Sequence, residues 1–314
     1  MNKCLLTYEW VETGEYKLDA LRKIAPKLTE IRHLPFDATA LRYEASARAG
    51  KMSIQGVQSK LSAVLNTKNN EFEIVDQNGR YIIKPQSANY PNMPENEDLT
   101  MHLASMVGIN VPIHGLIRAQ DDSLVYFIKR FDRIGQKQRV STEDFSQILG
   151  FTRETKYESS MESIVDIIDQ YCTFPIIEKS ELFKRTIFNF LVGNEDMHLK
   201  NFSLITDKKI VRLTPAYDFL NSSILLREPE EIALPLHGRK KNLSRKILVK
   251  YYGQERLKLN EKVIENVLKE FDAVIPSWKN KIECSFLPQE LIDKYLKLLS
   301  ERSAVLFMMQ SAVI

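Results

Sequence analysis

One nine-residue stretch, GNEDMHLKN at 193–201, limits what this chain can fold into more than any other part of the sequence. It places Asp196 and Asn201 five positions apart, and the triplet YDF follows at 217–219. An apolar run at 187–192 leads into the stretch. This order predicts a polar loop held between buried elements.

Two strands are predicted after the loop, FSLI at 202–205 and VRLTPAYDF at 211–219. The polar groups have the order that phosphoryl transfer needs. Asp196 would accept or orient the proton of the acceptor hydroxyl, and Asn201 and Asp218 would hold Mg²⁺ on the phosphates of ATP. The alternative is a turn in which these side chains only cap the backbone. The predicted buried elements on both sides favour a catalytic loop.

Two further residues of the loop, His198 and Lys200, are assigned to the nucleotide site because they lie between Asp196 and Asn201. For His198, a structural role near Asp196 is at least as well supported as a chemical one.

A cation for the ATP phosphates is predicted upstream of the loop. RYIIKPQ at 80–86 has the β-branched residues of a strand that ends at Lys84, and Pro85 stops further pairing. A helix is predicted within 95–112, and Glu97 in its first turn would hold Lys84 toward ATP. The alternative, that acids here only complement the positive end of the helix, is equally well supported by the residues alone.

The segment SIQGVQSKLSAVL at 53–65 is predicted to form a hairpin with EFEIV at 71–75. Its polar start would be the loop over the phosphates. Only one glycine lies in it, so it matches neither a Walker A sequence nor the glycine-rich loop of ordinary protein kinases, and a plain strand entrance is the better interpretation by itself. The residues assigned to nucleotide binding here are Ser53, Ile54, Gln55, Gly56 and Val57.

Together, these segments resemble the HipA-like serine/threonine kinases, which are toxins of bacterial toxin–antitoxin systems. The resemblance spans most of the chain, and the segments follow the order of the family. They are SIQGVQSK at 53–60, IIKP at 82–85, NE at 96–97, GINVP at 108–112, KRFDR at 129–133, EDFSQILG at 143–150, KYES at 156–159, GNEDMHLKNFS at 193–203 and LTPAYD at 213–218.

The resemblance implies a kinase that uses ATP and Mg²⁺ and has a protein-kinase-like α+β fold, bilobal, with a β-rich N-lobe and a mainly helical C-lobe. It implies Asp196 as the catalytic base, with Asn201 and Asp218 as Mg²⁺ ligands. Lys84 would be the lysine of the ATP phosphates.

The resemblance also implies that 128–131 is the hinge that contacts adenine through its backbone. Lys129 and Phe131 are therefore assigned to the nucleotide site. Family members carry a glutamate where Lys129 stands, and a backbone contact survives that change.

A regulatory serine of the family corresponds to Ser53. Its autophosphorylation would add about two negative charges beside those of ATP and silence the enzyme. The related short HipT-like kinases often have a second serine two residues on, where this chain has Gln55.

The partners are also expectations from the resemblance. Only 52 residues precede SIQG, so we expect the short, HipT-like form that lacks an extra N-terminal subdomain. In such systems that subdomain can be a separate small protein, and a helix-turn-helix antitoxin is a second partner that would provide the only link to DNA. The family suggests an aminoacyl-tRNA synthetase as the protein substrate.

Composition agrees with an enzyme of one bilobal unit, since 314 residues of which 44% are hydrophobic can fill two cores. No run approaches about 18 consecutive apolar residues, and the N-terminus lacks a signal-peptide pattern, so the cytoplasm is the expected location and no membrane contact is expected. The three isolated cysteines are expected to be free thiols.

Three parts are predicted along the chain. Residues 1–52 would be mostly helical and brace the N-lobe, 53–131 would form the N-lobe up to the hinge, and 132–314 would form the helical C-lobe with the catalytic and metal-binding loops. A run of five cations at 239–246 could contact nucleic-acid phosphates. The net charge of only +3 and the lack of interleaved aromatic residues favour a solvated face instead.

Two rival functions are considered. A small-molecule kinase of the aminoglycoside-phosphotransferase type uses similar carboxylates, but the segments at 143–159 and 193–203 favour the HipA-like group. The other rival is a catalytically dead module that only assembles on DNA with its antitoxin. The complete set of candidate catalytic residues argues against it.

Overall fold

The computed structural model describes residues 2–48, 59–135, 138–152, 155–226 and 229–307. The chain divides into two compact units. Unit 1 comprises Met1–Leu99, Pro112–Gln138 and Cys284–Leu287, and unit 2 comprises Thr100–Val111, Arg139–Glu283 and Pro288–Ile314. The limits predicted from the sequence, after residues 52 and 131, stay predictions. The N-terminal segment belongs to the same unit as the strands that follow it.

The start of unit 1 contains less helix than the sequence predicts. Strands β1 (Asn2–Lys3) and β2 (Trp10–Val11) pair antiparallel, and helices α1 (Leu18–Ile24) and α2 (Ala38–Arg48) follow. No regular element forms between the two helices. Pro26 and Pro35 lie in this interval, and proline lacks the amide hydrogen that a helix interior needs.

Unit 1 also contains a five-stranded antiparallel sheet. Its strands are β3 (Leu61–Asn66), β4 (Glu71–Ile74), β5 (Tyr81–Lys84), β6 (His114–Arg118) and β7 (Leu124–Lys129), in the order β4-β3-β5-β7-β6. Helix α3 (Met93–Met106) lies between β5 and β6 in the chain. The predicted hairpin is confirmed in its described part, since Ala63 is opposite Ile74. The strand that ends at Lys84 is also confirmed.

The N-terminal segment and this sheet share one hydrophobic core. Its buried members include Leu21, Leu41, Leu61, Ile83 and Phe127. A close approach occurs at Gly115 of β6, where a Cβ atom would clash with Cδ2 of Leu6 and lie 3.0 Å from the Phe127 ring. The lack of a side chain at this glycine therefore lets the N-terminal segment pack directly on the sheet.

Two short strands, β8 (Arg133–Ile134) and β9 (Gln138–Arg139), follow β7 in the chain. Unit 2 then contains an antiparallel sheet in which β11 (Ser203–Asp207) lies between β10 (Ser141–Asp144) and β12 (Ile210–Leu213). Its helices are α4 (Phe145–Ile148), α5 (Met161–Tyr171), α6 (Pro175–Val192), α7 (Glu261–Glu283) and α8 (Gln289–Phe307), with a 3₁₀ turn at Leu199–Asn201 and a π-helix at Lys246–Arg256.

The β11–β12 hairpin differs from the sequence prediction at its end. The second strand stops at Leu213, so the prediction of a strand through 211–219 was wrong beyond that residue. Pro215 has no amide hydrogen for a ladder, and the Ala216 N–H donates to the Asn110 carbonyl oxygen at 2.8 Å. The Thr214 N–H still donates to Ser203 of β11 at 3.0 Å, whereas Ala216 is bonded outside the hairpin.

The turn of the same hairpin is a two-residue one. Asp207 lies opposite Ile210, and Lys208 and Lys209 between them have φ angles of 49° and 69°. Positive φ at both central residues is typical of the type I′ turn, which favours Asn-Gly.

Among the described residues, none of the helices combines the length and the apolar character that crossing a bilayer requires. The three cysteines are free, as predicted; Cys4 and Cys172 are buried and Cys284 is exposed.

Candidate active site

In unit 1, the lysine and the glutamate selected from the sequence form a buried ion pair. Lys84 Nζ, at the end of β5, lies 2.6 Å from Glu97 Oε1 in α3. The two side chains are only 5% and 3% exposed. Lys84 Nζ also lies 5.7 Å from the centroid of the Tyr126 ring. An acid that only complemented the helix terminus would not make this contact, so the geometry favours the pairing interpretation of Glu97.

Helix α3 supports this pair with a run of four buried polar residues. They are Glu95, Asn96, Glu97 and Asp98. Gln86 Nε2 donates to both carboxylate oxygens of Glu95, at 2.9 and 3.0 Å, and burial raises the pKa of Glu95. The Tyr8 hydroxyl donates to Asp98 at 2.7 Å, and His114 Nδ1 lies 2.7 Å from the same carboxylate. Buried polar groups with partners fix the orientation of the helix and therefore of Glu97.

For two other groups of residues assigned to ATP, the predicted phosphate loop and the predicted hinge, the contact with the nucleotide stays a prediction. The predicted phosphate loop, residues 53–57, lies outside the described residues. At the predicted hinge, the Lys129 N–H donates to the Ile113 carbonyl oxygen at 2.7 Å, so a contact between this segment and adenine would use a different backbone group. Phe131 is half-buried just after it.

In unit 2, the loop starts where α6 ends at Gly193, which has φ 68° and ψ 40°. This left-handed conformation suits glycine. Space requires glycine as well, because a Cβ atom would lie 2.8 Å from Ser223 Oγ and 3.0 Å from Asn221 Oδ1. The next residue, Asn194, is buried and donates from Nδ2 to Asn189 Oδ1 at 3.1 Å. These contacts fix the direction in which the chain leaves the helix.

Asp196 combines an exposed carboxylate with a fixed backbone. Its side chain is 52% exposed. Its N–H donates to Asn194 Oδ1 at 3.2 Å, and its carbonyl oxygen accepts from Asn201 Nδ2 at 2.9 Å and from the His198 N–H at 2.8 Å. A group that must meet an incoming hydroxyl needs both properties.

The two residues assigned to Mg²⁺ are linked through Tyr217. The Tyr217 hydroxyl donates to the Lys200 carbonyl oxygen at 3.0 Å and lies 2.6 Å from Ser203 Oγ, so the residue before Asp218 contacts the residue before Asn201. Asn201 uses its amide nitrogen on the loop backbone, which leaves its amide oxygen for a metal. A carboxylate and an amide oxygen are ligands that Mg²⁺ accepts, so this donor set fits the ion.

The side chain of His198, within the loop, is buried and only 7% exposed. Burial, reinforced by the positive charge of Lys156 and opposed by Asp196 and Asp218, lowers the pKa of His198 to about 4. The ring is therefore neutral near pH 7, and its Nε2 is 3.9 Å from Asp196 Oδ1. It packs edge-on against the Tyr157 ring, with 5.1 Å between centroids. These features favour the structural role.

Lys200, the other loop residue assigned to ATP, is half-buried. Burial raises the pKa of the Asp144 carboxyl, and the positive charge of Lys200 opposes that shift. The Asp144 carboxylate accepts the Gln147 N–H and caps α4. The contact of Lys200 with a nucleotide stays a prediction.

One residue of the site was missed from the sequence. The Tyr157 hydroxyl donates to Asp196 Oδ1. The only sequence signal was the segment KYES at 156–159, which contributed to the family resemblance but carried no role of its own.

Comparisons with known proteins agree on one group. The family model for the HipA-like C-terminal domain matches residues 52–278. A candidate kinase of Haemophilus influenzae is 30% identical over 312 residues, which cover 89% of this chain and 90% of that protein. The serine/threonine-protein kinase toxin HipA of Shewanella oneidensis is 28% identical over 205 residues, which cover 59% of this chain and 47% of that protein.

Solved structures show the same fold. A chain in the Shewanella oneidensis complex of HipA, HipB and operator DNA matches with a TM-score of 0.68 and 23% identity, covering 88% of this chain and 72% of that one. The Helicobacter pylori proinflammatory kinase CtkA matches with a TM-score of 0.56 and 16% identity, covering 82% and 91%. The predicted protein-kinase-like α+β fold is thereby confirmed.

Proposed function

Because this chain belongs to the family defined by the HipA-like C-terminal domain, we propose that it is an ATP- and Mg²⁺-dependent serine/threonine protein kinase. The observation that carries the proposal is the loop at 193–201, which presents the exposed Asp196 carboxylate on a backbone held by Asn194, His198 and Asn201. Phosphoryl transfer depends mainly on positioning and charge neutralisation, which such a loop can provide.

Each candidate residue has a distinct part in this proposal. Asp196 would accept a hydrogen bond from the acceptor hydroxyl and take its proton as the oxygen bonds to the γ-phosphorus and the bond from that phosphorus to the leaving ADP breaks. Asn201 and Asp218 would hold Mg²⁺, which neutralises charge on the ATP phosphates when bound. Lys84, kept in place by Glu97, would bind a phosphate oxygen.

The choice between a protein and a small molecule as acceptor is tested by one assay. The purified chain is incubated with Mg²⁺ and ATP labelled at the γ-phosphate, with either a protein extract or aminoglycosides and sugars. Label should enter protein and be absent from reactions with the Asp196→Ala variant. Label in the small molecules alone would support the phosphotransferase alternative instead.

We extend the proposal to a toxin of a toxin–antitoxin system that acts on an aminoacyl-tRNA synthetase, on the support of the family and of the Shewanella oneidensis relative's name. Expression of the chain alone should arrest growth, and Asp218→Ala should relieve the arrest. Phosphoproteomics after brief expression would identify the substrate. Equal arrest by both forms would favour the catalytically dead binding module, because harm would then be independent of catalysis.

A helix-turn-helix antitoxin is the proposed partner, since the similar Shewanella oneidensis structure contains HipB and operator DNA. DNA would be bound only through that antitoxin, and the separate small protein that the family resemblance suggests would be a second partner. Co-purification with the neighbouring gene products, followed by DNA-binding assays with and without the antitoxin, tests both.

Autophosphorylation of Ser53 is the proposed regulation. A phosphate carrying about −1.5 to −2 charges would repel the ATP phosphates, so nucleotide affinity should fall. Intact-protein mass spectrometry after incubation with Mg-ATP should show modification that Ser53→Ala abolishes, and Ser53→Asp should bind ATP poorly. Phosphate found only at other residues would remove Ser53 from this role without affecting the kinase proposal.

A further inference from the structure

Tyr157 is held against the candidate catalytic base by contacts on several sides. Its hydroxyl donates to Asp196 Oδ1, and its ring meets the His198 ring edge-on at an interplanar angle of 85°. Lys156 Nζ and Lys240 Nζ lie 4.9 and 5.9 Å from the ring centroid, which is within cation–π range. The aromatic ring therefore has one preferred position, although the side chain is partly exposed.

The protonation state suits a hydrogen-bond donor. Burial and the neighbouring Asp196 carboxylate raise the pKa of Tyr157 well above its usual value, so the phenol keeps its proton at physiological pH. Asp196 Oδ1 is occupied by this donor. In the part of the chain that the structure describes, no side chain or backbone group donates to the second oxygen, Oδ2.

Rotation of an aspartate carboxylate about its last side-chain bond is only weakly restricted by intrinsic preferences. The Tyr157 hydroxyl supplies that restriction for Asp196, because a bond to one oxygen determines where the other points. We propose that Tyr157 is a positioning residue for the phosphoryl transfer proposed above, holding Oδ1 so that Oδ2 faces the acceptor hydroxyl. This inference rests on the kinase proposal.

The same arrangement gives a role to a residue of the basic run at 239–246. Lys240 Nζ lies near the Tyr157 ring and 3.3 Å from Glu230 Oε2. The Glu230 N–H in turn donates to Glu195 Oε2 at 2.5 Å. Lys240 therefore links the ring to the segment that is bonded to the residue before Asp196, and part of the run supports the loop rather than forming only a solvated face.

Tyr157→Phe removes the hydroxyl and keeps the ring. We expect kcat for protein phosphorylation to fall about tenfold, because the base is less well oriented, while KM for ATP and for the acceptor stays within about twofold. Tyr171→Phe is the matched control, since Tyr171 is also in unit 2 and is 45% exposed against 37% for Tyr157. It should leave kcat and the unfolding midpoint unchanged.

A double-mutant cycle separates positioning from a general structural role. Tyr157→Phe should lower kcat in the wild-type background and change it less than about twofold in the Asp196→Asn background, because the amide cannot take the proton and its orientation therefore no longer affects the rate. Equal losses in both backgrounds, an unchanged kcat in Tyr157→Phe, or a higher kcat would each overturn the inference. A wild-type protein that transfers no phosphate under any condition would overturn the kinase proposal itself.

Discussion

The two candidate catalytic regions handle charge in opposite ways. In unit 1, Lys84 and Glu97 are both buried and neutralise each other at 2.6 Å. In unit 2, Asp196 is half-exposed, and the residues that hold its backbone, Asn194 and Asn201, are uncharged.

This difference indicates whether substitutions in each region should affect mainly stability or mainly catalysis. Burying an ion pair costs desolvation that the attraction between the two charges offsets, so loss of one charge leaves the other buried with less compensation and destabilises the fold. An exposed carboxylate on a backbone fixed by neutral groups is solvated with or without its neighbours. Mutations in unit 1 should therefore affect stability first, and mutations of Asp196 should affect catalysis alone.

The largest expected effect is on catalysis. Asp196→Ala should lower kcat about 10²- to 10⁴-fold, the usual contribution of a general base. The free energy of unfolding should change by less than about 1 kcal/mol, because the side chain is exposed. Initial rates of labelled phosphate transfer and thermal unfolding measure the two quantities. A large loss of stability would break the comparison.

The next effect concerns the ion pair. Glu97→Gln should lower the free energy of unfolding by about 3–5 kcal/mol, because the Lys84 charge stays buried and loses the opposite charge that lies 2.6 Å away. Denaturant unfolding measures this loss. The double variant Lys84→Met with Glu97→Leu should regain much of the stability and remain inactive.

A matched control for the ion pair is the exposed pair of Lys294 and Glu290, whose atoms are 2.7 Å apart at exposures of 50% and 78%. Glu290→Gln should leave the unfolding midpoint unchanged. Similar losses in Glu97→Gln and Glu290→Gln would mean that burial does not distinguish the two pairs.

A third prediction tests how the loop of unit 2 is fixed. Gly193→Ala should destabilise the fold by about 2–3 kcal/mol, because alanine is disfavoured at positive φ and its methyl group would meet Ser223. Gly238→Ala is the control, since Gly238 has φ 69° and a Cβ there would meet no atom within 4 Å. Chemical denaturation of both variants isolates the steric part, and equal losses would show that contact with Ser223 is unimportant.

The smallest expected effect is a pH dependence of stability that comes from His198, whose buried ring is neutral, in contrast to the buried ion pair of Lys84 and Glu97. The pKa of His198 is about 4 in the folded protein, below the value of about 6.5 in the unfolded chain. The unfolded state therefore binds more protons between these values, and stability that is present above pH 6.5 is lost as the pH falls toward 4.

From pH 7 to pH 5, the wild type should lose about 2 kcal/mol relative to His198→Gln, since 1.5 pH units contribute about 1.4 kcal/mol each. Denaturant unfolding of both proteins in a chelator at the two pH values measures the change, and titrating groups that do not interact with His198 cancel in the difference. A constant difference between the proteins would mean that His198 does not titrate as its burial implies.

Several elements could be predicted because their signals are local. The β-branched residues before Lys84 and the proline after it mark a strand and its end, and α3 follows within a few residues. The hairpin of β3 and β4 follows from alternation across a short connection. The sequence left two roles open for Glu97, pairing with Lys84 or complementing the positive end of the helix. The contact between the two side chains in the folded protein distinguishes these roles.

Other parts could not be predicted, because their partners are distant in sequence. Tyr157 and Asp196 are 39 residues apart, and no periodicity relates them. The same holds for the contact of Lys240 with the Tyr157 ring. The strand predicted over 211–219 was inferred from the local sequence, whereas the Ala216 N–H donates to the carbonyl oxygen of Asn110, which is distant in sequence.

The turn between β11 and β12 offers a route to engineering a more robust protein. Its two exposed lysines, Lys208 and Lys209, adopt left-handed backbone angles, which cost a non-glycine residue of order 1 kcal/mol each. Lys208→Asn combined with Lys209→Gly would match the turn to its preferred sequence. The hairpin that follows the candidate catalytic loop can thus be changed to raise the thermal stability of the protein without altering any residue proposed to act in catalysis.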